Sequence, residues 1–200
     1  MALLMFIVFM LVVVISRVIY QYTLIQDHGI RTPRIQSSSI ATITSALLLV
    51  AFGGIFVLSL LDWRALSNPI ETMVAGRTSI GIVVCLAGVS LISYSQYEMG
   101  ANWRIGVDEN ETTELVITGI YRVVRNPIYT GVAIFLFGMI MLLPHVTTVC
   151  LVLLGLLSIH LHVRYIEEPY LRKLHGERFT RYCESAGAYW PKLFRASSKS

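Results

Sequence analysis

The sequence predicts an all-α integral membrane bundle of about five transmembrane helices, with a tight final helical hairpin and a cytoplasmic amphipathic C-terminal segment. Three observations carry that expectation. Of 200 residues, 55% are hydrophobic and only 14% charged, with a mean hydropathy of +0.67, outside the range of an ordinary soluble domain. The apolar residues fall into five runs, most of which reach or approach the roughly 20 residues needed to cross about 30 Å of hydrocarbon. When the sides of the membrane are alternated after each run, nearly all Lys and Arg collect on one side, and only Arg64 and Arg77 lie on the other. The positive-inside rule makes the crowded side cytoplasmic, which places the C-terminus inside and, with five spans, the N-terminus outside.

The first run, Ala2 to Ile15 and on toward Tyr20, lacks a basic region before it. It is followed by Arg17, Tyr20 and Tyr22 rather than by a small-residue cleavage site, so it reads as a retained helix and not a signal peptide. The second, Ile40 to Leu61, ends at Asp62-Trp63-Arg64, an aromatic and charged boundary expected at the water interface. The third is Ile80 to Tyr97, where the spacing of Gly81 and Gly88 predicts close helix packing. The fourth, Ile128 to Leu143, and the fifth, Val146 to Val163, are separated only by Pro144-His145. That is too short for a loop, so the two predict a tight antiparallel hairpin that falls short of the far surface. Beyond it, Leu171, Leu174, Phe179 and Tyr182 give one face of a helix, and Arg172, Lys173, Glu177, Arg178 and Arg181 the opposite one.

The net charge of +4 does not indicate nucleic acid, because the cations are spread along membrane-flanking segments and suit lipid headgroups. Cys85, Cys150 and Cys183 have no metal or disulfide spacing and read as passive thiols. The last residues, Ala196 to Ser200, are no prenylation signal. His160 and His162, two apart on a helix, face different directions and do not suggest a metal site.

The three runs before residue 98 carry few ionisable groups and read as scaffold, so residues 1–97 and 98–200 divide into a wall and a site-bearing half. The polar stretch from Glu98 to Asn126 holds Asn102-Trp103-Arg104, the acidic run Asp108-Glu109-Asn110-Glu111, and Leu115-Val116-Ile117, a short extended segment before the turn at Thr118-Gly119. Then come Tyr121, Arg122, Arg125, Asn126 and Pro127. Pro127 suits a first helical turn with Asn126 as its N-cap, and the helix start offers free N–H groups to an anion. At the end of the last run, Arg164 and Glu168 share a helix face at i, i+4, with Glu167 about 100 degrees away. If the hairpin folds back, both clusters meet in one cytoplasmic pocket. Taken alone, the residues also fit an interfacial belt and an ordinary anchoring ion pair. As a pocket, the carboxylates would suit ribose hydroxyls and ammonium groups, the arginines carboxylates, and the tyrosines adenine or a sulfonium.

The order Gly119-x-Tyr121-x-x-x-Arg125-Asn126-Pro127-x-Tyr129-x-Gly131 resembles the Arg-His-Pro-x-Tyr signature of the isoprenylcysteine carboxyl methyltransferase family. Glu167-Glu168-x-x-Leu171, His175-Gly176-Glu177-x-Phe179-x-x-Tyr182 and Trp190-Pro191 are similar to that family's C-terminal tail, so the likeness covers residues from about 98 to 192. It implies a membrane methyltransferase that uses S-adenosyl-L-methionine on the cytosolic side. Leu115, Val116, Gly119, Tyr121, Arg125, Asn126, Pro127, Tyr129 and Glu167 would surround the cofactor, with Arg164 and Glu168 near the reacting groups. The implied acceptor is lipophilic, foremost the carboxylate of a prenylated cysteine entering from the bilayer. Related membrane enzymes with the same signature extend this to a phospholipid amine or a thiol. Some sterol reductases share such a hairpin with NADPH, but a phosphate-bearing cofactor should need more cations than the Glu167-Glu168 pair leaves. A non-enzymatic membrane scaffold is the remaining alternative. Two positions depart from the pattern: Asn126 stands where the family usually has His, and His175 where it has Phe. Asparagine donates and accepts hydrogen bonds but does not titrate near neutrality.

Overall fold

The computed structural model describes residues 1–26, 39–64, 76–103 and 114–192. Its helices are α1 (Ala2–Ile25), α2 (Ser39–Trp63), α3 (Arg77–Met99), α4 (Pro127–Leu142), α5 (Val146–His162) and α6 (Glu168–Ser185), with 3-10 turns at Gly100–Asn102 and Gly119–Arg122. Strand pairing among the described residues is limited to one parallel bridge, Val124 with Gly187. The expected acidic run Asp108–Glu111 and the cations Arg31, Arg34, Arg104, Arg195 and Lys199 lie outside the described residues, as does the C-terminal Ala196–Ser200.

Among the described residues, four helical stretches are long and apolar enough to cross a membrane: Ala2–Ile25, Ser39–Trp63, Arg77–Asn102 and Val146–Ser185. The fifth run forms α4, only 16 residues long. At 1.5 Å per residue it rises about 24 Å, less than the hydrocarbon thickness. The all-helical membrane architecture therefore agrees with the sequence, with one helix shorter than a full span.

The first run extends ten residues beyond Ile15, to Ile25, and contains a π-helical turn at Met10–Ile15. Such a turn disturbs the regular ladder of backbone bonds, and the Val13 carbonyl accepts a bond from Gln96 Nε2 of α3 at 3.1 Å. Phe9 of α1 stacks on Phe135 of α4 with centroids 4.4 Å apart and tilts against Phe52 of α2 at 5.6 Å. The main apolar core thus gathers α1 to α5 around Phe135, Leu136, Met139, Ile55 and Ile92.

Glycines bring α3 and α4 into backbone contact. A Cβ on Gly88 would meet the Phe135 nitrogen at 2.6 Å and the Gly131 oxygen at 2.7 Å, and one on Gly138 would meet the Cys85 nitrogen at 2.8 Å. The packing role expected for Gly81 and Gly88 is therefore present, and its partner is α4. The hairpin turn is as short as expected, with the His145 N–H donating to the Leu143 carbonyl at 2.8 Å. Its arms nevertheless choose different partners: α4 lies along α3, α5 lies along α2, and the two meet each other sparsely. The physical reason is that the glycine faces of α3 and α4 permit closer approach than the bulkier α4–α5 surfaces.

At the end of α3 that carries the polar loop, buried Arg17 of α1 donates to the Gly100 carbonyl and to Gln21 Oε1 at 2.9 Å. Gln21 Nε2 in turn donates to the Ala101 carbonyl at 3.0 Å. Arg17 also lies 5.0 Å from the Trp103 ring centroid. These bonds satisfy carbonyls that the helix end leaves open. Arg17→Met is expected to lower stability by about 2 kcal/mol, the range for a buried charged hydrogen-bond donor; thermal unfolding in detergent measures it.

Candidate functional site

The polar chain between α3 and α4 is shaped by one glycine. Gly119 has φ +53 and lies against Glu98, whose carboxylate oxygen would be 1.8 Å from a Cβ there, so both the backbone and the space require glycine. Past it, Tyr121 turns inward and donates to the Ser95 carbonyl at 3.2 Å, while the Tyr182 hydroxyl donates to the Tyr121 carbonyl at 2.5 Å. Residues 123–126 then zip onto the chain after α6. The Gly187 N–H donates to Val123 O at 3.0 Å, Arg125 N–H to Gly187 O at 2.8 Å and Asn126 N–H to Ala188 O at 3.1 Å. Gly187 is obligatory as well, since a Cβ would fall 1.8 Å from the Trp190 carbonyl oxygen.

Asn126 precedes α4 and Pro127 opens it, fully buried, as expected. The expected N-cap bond, however, does not form. The Asn126 side chain makes no capping contact and donates from Nδ2 to Ala188 O at 3.1 Å. The C-terminal segment presents an accepting carbonyl there, so the amide serves to hold that segment. Thr130 adds a second tie, donating to the Tyr189 carbonyl at 2.7 Å. An amide suffices for this work, which gives Asn126 a role without titration.

The second cluster is reorganised by a feature the sequence did not signal. Between α5 and α6, Val163–Glu167 form a π-helical turn, with the Glu168 N–H bonded to the Val163 carbonyl. The extra residue in the turn changes which side chains face each other. Glu168 keeps the expected i, i+4 contact, Arg164 Nη1 to Oε2 at 3.4 Å, and its other oxygen pairs with Arg125 Nη2 at 2.7 Å. Glu167 accepts from the Tyr129 hydroxyl and faces His162, five residues earlier, at 3.6 Å from Nε2. The two carboxylates thus address one region instead of diverging.

A cavity that opens partly to solvent lies between these elements, with about 550 Å³ of empty space when its open mouth is counted. Of the expected site residues, Leu115, Val116, Tyr121, Arg125, Asn126, Glu167 and Glu168 line it. Gly119, Pro127 and Tyr129 stand behind the wall as supports, and Arg164 sits outside as an ion-pair partner with its side chain 64% exposed. Met99, Asn102 and Glu114 also line the cavity with no signal in the sequence, as do Leu171, Phe179 and Tyr182, whose spacing marks only the apolar face of the last helix. That face does pack, with Leu115, Phe179, Tyr182 and Ala186 forming a second apolar cluster, and it floors the cavity. α6 reaches it through a break at Gly176, where φ is +52. The contribution of Thr130, Gly187 and Tyr189 had one faint signal, a small Ala-Gly-Ala triplet before Tyr189-Trp190.

The site is rich in charge, and its central ion pair is largely buried. Arg125 and Glu168 side chains are each 12% exposed. Arg125 also donates to the carbonyls of Ala186 at 2.6 Å and Cys183 at 3.3 Å, while its Nε is buried without a partner. Burial, then the nearby Glu167 and Glu168, push the Tyr189 hydroxyl up to about 12, and burial likewise raises Tyr121. Both therefore remain hydroxyl donors near neutrality. Burial also raises the Cys183 thiol, in keeping with a passive cysteine. Such a cavity suits a ligand carrying acceptors for Arg125, a cation for the carboxylates and an apolar ring for the walls.

The phospholipid methyltransferase family profile matches residues 77–178, about half of the chain. The chain belongs to the phospholipid methyltransferase family. The matched range takes in α3 to α5, the π-helical turn and the start of α6, and hence most of the lining of the cavity. Phe179, Tyr182, the clasp at 187–189 and both N-terminal helices lie beyond it. No curated protein matches the sequence. A solved structure of a eukaryotic intramembrane Ras methyltransferase, isoprenylcysteine carboxyl methyltransferase, is similar with TM-score 0.54 at 20% identity, covering 88% of this chain and 61% of that one. At that identity the likeness is one of fold. The chain spans about three fifths of that relative's length.

Proposed function

We propose that the cavity binds S-adenosyl-L-methionine and that the enzyme methylates a lipophilic acceptor reaching the site from the bilayer, foremost the carboxylate of an isoprenylated cysteine. The observation that carries this reading is the buried, partnerless Arg125 Nε in a wall that also holds Glu167 and Glu168. A buried donor without an acceptor is costly, and a nucleoside or amino-acid ligand would supply one. The carboxylates Glu167 and Glu168 fit the positive groups of such a ligand, and Leu115, Leu171 and Phe179 fit its ring. When bound, the donor supplies an electrophilic methyl on a sulfonium that is its own leaving group.

The protein's part is to bind, align and exclude water. Arg125, held by Glu168 and two carbonyls, fixes the donor's anionic or hydroxyl groups. Tyr121 contributes to the wall itself, and Tyr129 acts behind it by orienting Glu167. Arg164, exposed at the rim, offers its guanidinium to an incoming carboxylate. On this reading residues 98–200 carry the chemistry and 1–97 mainly support it, with Met99 belonging to the site. The rim lies at the bundle end bearing Arg17, Arg122 and Arg164, which the positive-inside rule makes cytoplasmic.

Arg164→Met separates the leading acceptor from a phospholipid amine, the reading favoured by the family match. With a prenylcysteine carboxylate, the variant's acceptor KM should rise about tenfold or more while the Kd for S-adenosyl-L-methionine stays unchanged. An amine acceptor would leave KM unchanged or lower it. Labelled-methyl transfer to prenylcysteine and to phosphatidylethanolamine, with donor binding by calorimetry, reads both outcomes. Absence of donor binding to the folded enzyme overturns the proposal.

A further inference from the structure

A polar relay crosses the helices just behind the cavity wall. His162, at the end of α5, has Nδ1 3.2 Å from Thr44 Oγ1 of α2 and Nε2 3.6 Å from Glu167 Oε1. The threonine hydroxyl has one hydrogen, and it has nearer acceptors in the Ile40 carbonyl at 2.9 Å and the Ala41 carbonyl at 3.1 Å. Its lone pair then faces Nδ1, which must carry a hydrogen. In a neutral ring that leaves Nε2 bare, facing a carboxylate oxygen that already accepts from Tyr129. Two lone pairs in a site only 21% and 23% exposed repel unless a proton lies between them.

We infer that His162 and Glu167 share one proton, and that its gain or loss sets the charge of the cavity wall and hence the preference for a cationic over a neutral ligand. His162 is a positioning residue here, acting through Glu167, and Thr44 fixes its tautomer. With the proton the pair is neutral overall, as imidazolium and carboxylate or as imidazole and carboxylic acid. Without it the wall gains one negative charge. The other titratable or charged groups facing the pair, among the described residues, are Tyr121 of the 3-10 turn before α4, Tyr129 of α4, Glu168 and Arg164 of the adjoining turn and Tyr189 of the C-terminal segment. Arg125 stands beyond Glu168, and α2 contributes Thr44.

The inference rests on the donor-binding reading of the cavity, and the experiment has one arm independent of it. Nitrogen NMR of the full chain in detergent, labelled at the histidine imidazoles, is followed from about pH 5 to 9, the interval around ordinary histidine titration. Nδ1 of His162 should stay protonated throughout, with a single step at Nε2. A neutral ring carrying its hydrogen on Nε2 at any pH in that interval would overturn the proposal. In the second arm, S-adenosylmethionine and its demethylated product, which differ by the sulfonium charge, are titrated into the protein by calorimetry. Their affinity ratio should shift toward the cationic donor by about tenfold as pH rises through that step. Thr44→Val frees the neutral ring to place its hydrogen on Nε2, where it donates to Glu167, so the step should move to lower pH, whereas Thr44→Ser should restore it. A step left at the same pH by Thr44→Val overturns the role given to Thr44. Failure of both ligands to bind removes the donor reading and the proposed ligand preference, and the NMR arm still decides the shared proton.

Discussion

Glu168→Gln is expected to reduce methyl transfer by about a hundredfold or more while the helices stay intact. The carboxylate is the junction of the site, since one oxygen holds Arg125 at 2.7 Å and the other Arg164 at 3.4 Å. Arg125 in turn gathers the carbonyls of Ala186 and Cys183. Removing one partner of a mostly buried ion pair costs about 3 kcal/mol because the other charge is left desolvated. Part of that strain should appear as displacement of Arg125 from the cavity wall. Glutamine keeps the shape and one accepting oxygen, so global unfolding is not the expected outcome. Turnover with labelled donor, donor Kd and far-ultraviolet circular dichroism together read the effect. Activity within about threefold of the parent enzyme would mean that Glu168 has only an anchoring duty.

The second large effect is structural. Gly88→Val should destabilise the protein by about 3 kcal/mol or more and inactivate it, because its Cβ would lie 2.6 Å from a backbone nitrogen and 2.7 Å from a backbone oxygen of α4. No rotamer relieves a clash with main chain, so α3 and α4 must part. α4 carries Tyr129 and Thr130 in its first turn and follows directly on Asn126, and any shift is transmitted to Glu167 and to the 187–189 clasp. Gly53→Ala is the control, since nothing lies within 4 Å of a Cβ there and alanine favours the helix by up to about 1 kcal/mol. Thermal unfolding of both variants in one detergent makes the comparison. Equal stabilities would remove the close-contact account of this helix pair.

Much of the site was legible because its chemistry is local in sequence. Gly119 to Tyr129 and Arg164 to Glu168 announce themselves as charged and aromatic clusters at the ends of apolar runs, and a short connection brings them together. What was not legible depends on distant pairs. Asn126 reads as an N-cap until Ala188 arrives to accept its amide. Glu167 reads as pointing away until the π-helical turn brings it opposite His162 and beneath Tyr129. Leu171, Phe179 and Tyr182 read as an interfacial face, and whether such a face meets lipid or folds over a cavity is a matter of chain path.

The sequence by itself determined an all-helical membrane protein, its helical segments and the two clusters that would meet. Those properties follow from the hydrophobic length needed to cross a bilayer and from the requirement that backbone groups there bond within a helix. Only the tertiary structure decided that α4 packs on α3 and α5 on α2, that Arg164 stands at the rim, and that Thr44, His162 and Glu167 form a line. Those outcomes turn on contacts of a few ångströms between residues up to 118 apart in the chain, where steric fit and hydrogen-bond directionality rule and the periodicity of the sequence carries no signal.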